Sequence, residues 1–153
     1  MAGAYSQIYI QLVITVNHRE NLIIKPWRDE LHKYIAGIIN AKNQKTIIVG
    51  GVEDHVHVFF SLRPSERISD IVRDIKNNSS KFINENKLVR GKFRWQEGYG
   101  AFSYSKSAID NVYNYILRQE QHHKKVTFRD EYLEFLKEFE IEYNEKYLFE
   151  FFV

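Results

Sequence analysis

Asp54-His55-Val56-His57-Val58-Phe59-Phe60-Ser61-Leu62 is the stretch that decides how this chain folds. Val56, Val58, Phe60 and Leu62 recur at every second position, so they share one face of a strand and take the core. His55 and His57 then turn together to the opposite face. The apolar run before them, residues 46–52, is separated from Asp54 by only Glu53, and so tight a connection predicts an antiparallel hairpin. By the same alternation Asp54 points away from the histidines and reads as a turn residue.

Outward from the hairpin, residues 7–16 form a further half-buried strand, with Ile8, Ile10, Leu12, Ile14 and Val16 on one face and Gln7, Tyr9, Gln11 and Thr15 on the other. Pro26 opens a helix over 27–41 whose stripe is Trp27, Leu31, Tyr34, Ile35 and Ile38. A second helix, over 66–84, follows Arg63-Pro64-Ser65 and buries Ile68, Ile71, Val72, Ile75, Phe82 and Ile83. Residues 91–100 read as a loop, 101–104 as a short strand, 107–123 as a helix and 128–139 as a last helix. The order β-α-β-β-α-β-α is that of an α+β, ferredoxin-like split β-α-β domain. It predicts an antiparallel sheet of four strands with helices on one face, an added C-terminal helix carrying tyrosines, and one domain over 1–153. The second face of the sheet is left open.

Composition narrows the function. The chain has 153 residues, 44% hydrophobic and 27% charged, a globular balance. It has no cysteine, which excludes disulfides, thiolate zinc sites and a cysteine nucleophile. Its longest apolar run is far too short to cross a bilayer and its first residues lack a signal peptide's pattern, so a cytoplasmic protein without a membrane partner is expected. Net charge is only +2, but residues 130–150 carry eight acids against two lysines, leaving the first 129 with 20 basic and 12 acidic side chains. A basic body rich in aromatic rings suits nucleic acid.

Two imidazoles at i and i+2 can converge on one divalent ion, or can stand as polar residues on a wet sheet face. In the helix over 107–123, Ile109, Val112, Tyr113 and Ile116 form the apolar stripe, which makes Tyr113 a core or shoulder residue. Tyr115 and Gln119 lie one turn apart on its flank, with Arg118 and His122 just beyond. For phosphates, the wet side of the second helix offers Arg73, Lys76, Asn77 and Lys81, followed by Lys87, Arg90, Lys92 and Arg94. Trp95, Tyr99 or Tyr104 could stack on unpaired bases. Each of these also reads as an ordinary solvated side chain.

His55-Val56-His57 resembles the His-hydrophobe-His (HUH) motif, and Tyr115-Ile116-Leu117-Arg118-Gln119 resembles the tyrosine helix of the single-tyrosine HUH transposases of bacterial and archaeal insertion sequences. The stretches Trp95-Gln96-Glu97-Gly98-Tyr99-Gly100-Ala101-Phe102-Ser103 and Gln119-Glu120-Gln121-His122-His123 are similar to that group as well. The resemblance implies a ferredoxin-like fold, a homodimer, Mg²⁺ or Mn²⁺, and cleavage of single-stranded DNA carrying hairpins through a covalent 5′-phosphotyrosine. It makes Tyr115 the nucleophile and His55, His57 and Gln119 the metal ligands, and it favours a tyrosine helix resting on the partner's sheet. His122 is a candidate auxiliary group. No Walker-type glycine loop is present, and transesterification needs no nucleotide cofactor. The alternatives are a related HUH nickase or replication initiator, a domesticated repeat-associated tyrosine transposase, and a non-catalytic ferredoxin-like nucleic-acid-binding module.

Overall fold

The structure, a computed structural model, describes residues 5–143. The strands are β1 (Tyr9–Thr15), β2 (Lys45–Gly51), β3 (His55–Ser61) and β4 (Gly100–Tyr104), and the helices α1 (Lys25–Ala41), α2 (Ile68–Glu85), α3 (Ile109–Leu117), α4 (Gln119–His122) and α5 (Phe128–Glu138). The sheet runs β2-β3-β1-β4 and every neighbouring pair is antiparallel, the arrangement expected from the sequence. No described helix is long and apolar enough to cross a membrane.

The alternation in β1 and β3 sorts the two faces as predicted. Ile10, Leu12 and Ile14 join Val56, Val58 and Phe60 under α1 and α2, where Leu31, Ile35, Ile39, Ile71 and Ile75 complete the main core. Pro26 sits in the first turn of α1, where its missing N–H costs nothing. The loop before β4 is anchored by Trp95, which bridges to Val16.

The other face is not open. The C-terminal helices lie across it, so the sheet is covered on both sides. Val13 and Phe102 pack against Phe128, Tyr132, Phe135 and Leu136 of α5, while Phe59 packs against Val112 and Ile116 of α3. The face that a bare ferredoxin-like domain leaves open is thus covered by the chain's own C-terminal helices. The physical reason is apolar: Val13, Phe59 and Phe102 stand among polar residues on that face, and burying them requires a lid. Helix α5 begins at Thr127, whose hydroxyl accepts from the backbone N–H of Asp130. Its stripe is Phe128, Glu131, Tyr132, Phe135 and Leu136, all buried.

The tyrosine helix differs from expectation in two ways. It breaks at Arg118 (φ −100°, ψ 21°), separating α3 from α4 and turning Gln119 inward to 1% exposure. Tyr113 is 39% exposed and not a core residue, because the helix rolls onto Val112 and Ile116 and leaves Tyr113 on the outside. Tyr115, half-buried on the inner flank, is the ring turned toward the sheet.

Candidate metal and tyrosine centre

Both histidines of β3 are fully buried, at 0% exposure, on the face covered by α4 and α5. Each is held by its Nδ1. Asp54 Oδ1 accepts from His55 Nδ1 at 2.7 Å, and Gln11 Oε1 accepts from His57 Nδ1 at 2.7 Å. Gln11 is itself oriented, its Nε2 donating to the Tyr104 hydroxyl at 2.8 Å. With both Nδ1 atoms engaged as donors, each imidazole presents its Nε2 inward, the arrangement that second-sphere carboxylates and amides impose on metal-binding histidines. Asp54 is therefore not a bystander at a turn. The end of β3 lets its side chain curl back to His55, and Arg19 Nε lies 3.3 Å from its other oxygen.

What the Nε2 atoms face is unusual. His55 Nε2 lies 3.1 Å from Gln119 Oε1 and 3.5 Å from Glu131 Oε1, and His57 Nε2 lies 3.3 Å from the same Glu131 oxygen. Gln119 Nε2 donates to Glu131 Oε2 at 3.1 Å, which fixes the amide so that its oxygen is the atom turned to His55. When both imidazoles are neutral, acceptors thus converge on acceptors. His57 Nε2 and Glu131 Oε1 are buried with no hydrogen-bond partner. A cation bound among these atoms would satisfy them all, so the residues fit a divalent ion. His55, His57 and Glu131 bring their ligand atoms within 4.8 Å of one another. The same site attracts positive charge: burial opposes charge on His55, but Asp54 and Glu131 outweigh it and raise its pKa to about 9, so a bound cation would take the place of that proton. Burial lowers the pKa of His57. Burial also opposes charge on Glu131, yet His57 and His55 keep its carboxyl well below the usual range.

Tyr115 completes the centre. Its hydroxyl donates to Glu131 Oε2, and its ring stands edge-on to His57 with centroids 5.9 Å apart. Phe128 stacks on His55 at 3.9 Å between centroids. Within the chain, α3 packs on the sheet through Val112, Ile116 and Phe59, which sets Tyr115 beside the histidines. A groove of about 500 Å³ runs past Tyr115 between Asn111, Asn114, Arg118, Gln121, His122 and Lys125.

A family model described as "Transposase IS200 like" matches residues 4–119, from before β1 to Gln119. The chain belongs to the IS200-like transposase family. Membership implies tyrosine transposase activity on DNA. A candidate transposase from Deinococcus radiodurans has the same fold, with a TM-score of 0.62 at 19% identity over 78% of this chain and 95% of that one. So does a REP-associated tyrosine transposase bound to a REP hairpin, at TM-score 0.60 and 13% identity over 82% of this chain and 74% of that one. No curated protein sequence matches the transposase. Helix α5 lies beyond the span of the family model, so Glu131 is an addition to the matched region.

The structure brings His55, His57, Tyr115, Gln119 and His122 together, as the sequence suggested. It adds Glu131, His123 and the supporting pair Gln11 and Asp54. Glu131 had one sequence signal, an acid standing at an inward position of the α5 stripe. The proposed DNA contacts lie elsewhere: α2 rides on the opposite face of the sheet from Tyr115. Lys76 is half-buried and donates to the carbonyls of Gln96 and Gly98, both at 2.7 Å, so it ties down the loop before β4. Arg73 pairs with Asp70 and Asp74, and Lys81 with Glu85. Trp95 is turned inward, its indole N–H donating to Ser79 at 2.9 Å, and Tyr104 is committed to Gln11. Asn77, Lys87, Arg90, Lys92, Arg94 and Tyr99 are exposed.

Proposed function

We propose that this transposase cleaves and rejoins single-stranded DNA, with Tyr115 as nucleophile and His55, His57 and Gln119 as ligands of one Mg²⁺ or Mn²⁺, to which Glu131 adds a carboxylate. The observation that carries the reading is the meeting of the Tyr115 hydroxyl with the buried imidazole pair through Glu131. A bound ion would polarise the scissile phosphate and neutralise charge developing on it.

The chain's own residues supply the rest. Tyr115 Oη attacks the phosphorus, a 5′-phosphotyrosine forms, and the bond to the 3′ oxygen breaks to leave a 3′-OH. Glu131 Oε2 already accepts the tyrosine's hydrogen bond, so it aims the hydroxyl and is the acceptor at hand for its proton. Attack by another strand's 3′-OH reverses the step and rejoins DNA without ATP. Asp54 and Gln11 keep both imidazoles facing inward. The groove along Asn111, Asn114, Arg118 and Lys125, with amide donors and two cations, is the path proposed for the strand leading to Tyr115. Arg73, Asn77, Lys81, Arg90, Lys92 and Arg94 remain proposed as a more distant contact surface, for which a hairpin's duplex is the fitting partner, while Lys76 and Trp95, engaged within the chain, are left out of it. The likeness to a protein bound to a REP hairpin supports such a substrate. We also propose a homodimer, since excising an element takes two cuts and each chain offers one Tyr115.

The test is covalent capture. Wild-type protein incubated with Mn²⁺ and single-stranded DNA from the element's ends should give an adduct stable to denaturation, and Tyr115→Phe should give none while still binding DNA. An adduct formed by Tyr115→Phe would refute the assignment.

A further inference from the structure

One cluster beside the proposed centre is left unused by it. His122 and His123 lie at the end of α4, and both turn to the carboxylate that already serves His55 and His57. His123 Nε2 lies 3.2 Å from Glu131 Oε1, and His122 Nε2 lies 3.3 Å from Glu131 Oε2. The three residues bring their ligand atoms within 4.8 Å of one another. His123 Nε2 is buried and has no hydrogen-bond partner, as is Glu131 Oε1.

We propose that His122, His123 and Glu131 form a second divalent-cation site, and that Glu131 bridges it to the His55–His57 site. Two imidazoles and one carboxylate are a ligand set that borderline transition metals such as Mn²⁺, Co²⁺ and Zn²⁺ accept while keeping open positions. The site is reached from outside more easily than the first. The His122 side chain is 29% exposed and borders the groove past Tyr115, whereas His55 and His57 are sealed. It also stands beside the nucleophile, with Tyr115 Oη 3.4 Å from His122 Nε2. A cation held there would favour the phenolate form of Tyr115 by charge attraction. A carboxylate bridge holds two ions about 3.5–4 Å apart, the spacing at which metal pairs flank a phosphate in other phosphoryl-transfer sites. Because one carboxylate serves both ions, the second binds more weakly than the first.

This inference rests on the reading of His55 and His57 as metal ligands, and the experiment separates the two. Metal-free protein is titrated with Mn²⁺, stoichiometry being read by calorimetry and coupling by electron paramagnetic resonance at saturation. Two ions per chain are expected, one tight and one weaker, with an exchange-coupled spectrum. His122→Asn/His123→Asn should retain the tight ion and lose the weak one and the coupling, and Glu131→Gln should abolish the coupling. One ion per chain in the wild type, lost in His57→Ala, would overturn the second site and leave the first intact. No ion at all would overturn both. The wild-type stoichiometry decides the matter even if the double variant folds poorly.

Discussion

The tyrosine helix can approach the sheet only because residue 50 is glycine. A Cβ placed on Gly50 would lie 2.8 Å from Ile116 Cγ2 and 2.9 Å from the Ile116 carbonyl oxygen. Carbon atoms in good contact stand about 3.5–4.0 Å apart, so Gly50→Ala asks α3 to retreat by roughly the difference. Neither neighbour yields easily: Ile116 is buried at 1% exposure, and the second contact is backbone. Overpacking of this kind costs about 1–3 kcal/mol. At roughly 2–4 °C per kcal/mol for a domain of this size, the melting temperature should fall by several degrees. The chemical consequence should be larger, because Tyr115 is Ile116's neighbour and moves with it. A displacement near 1 Å at a reacting group can cost on the order of 100-fold in rate. The assay is the rate of covalent adduct formation beside a thermal melt, with Gly37→Ala as control. Nothing lies within 4 Å of a Cβ at Gly37 in α1, so that variant should gain about 0.5–1 kcal/mol and keep full activity. Trimming Ile116 in the Gly50→Ala background should rescue only in part, since its carbonyl stays. A folded Gly50→Ala protein that forms the adduct at the wild-type rate would refute the argument that this contact sets the tyrosine's place.

Two further predictions concern the ring nitrogens. Asp54→Ala removes the acceptor 2.7 Å from His55 Nδ1 and frees that imidazole to change tautomer; Mn²⁺ affinity measured by calorimetry should fall about 10–100-fold, and an unchanged affinity would show that Asp54 does not orient the ligand. Burial lowers the pKa of His32 in α1 to about 4, so the folded state resists a proton that the unfolded chain accepts near 6.5. Stability from this source is therefore full above about pH 6.5 and is lost as pH falls toward 4, on the order of 2 kcal/mol by pH 5. Denaturant melts at pH 7 and pH 5 should show that loss shrinking in His32→Gln, and an equal loss in both proteins would count against it.

Much of this was legible in the sequence because it depends on local period. Alternation in residues 7–16 and 54–62 placed Ile10, Leu12, Val56 and Val58 on one face and turned His55 and His57 to the other, and a strand's pleat permits nothing else. The i, i+4 spacing likewise put Tyr115 and Gln119 on one side of a helix. Tertiary structure alone decided what meets those faces. Glu131 reaches the histidines from α5, and Gln11 reaches His57 from β1; each depends on two elements docking, which no window of neighbouring residues encodes. The break at Arg118 and the outward turn of Tyr113 have the same origin, since α3 rolls to pack Val112 and Ile116 on Phe59 and Gly50 and gives up the stripe that an unbroken helix would have buried. Periodicity names the face of an element; only the packing of elements against one another decides which side chains share a site.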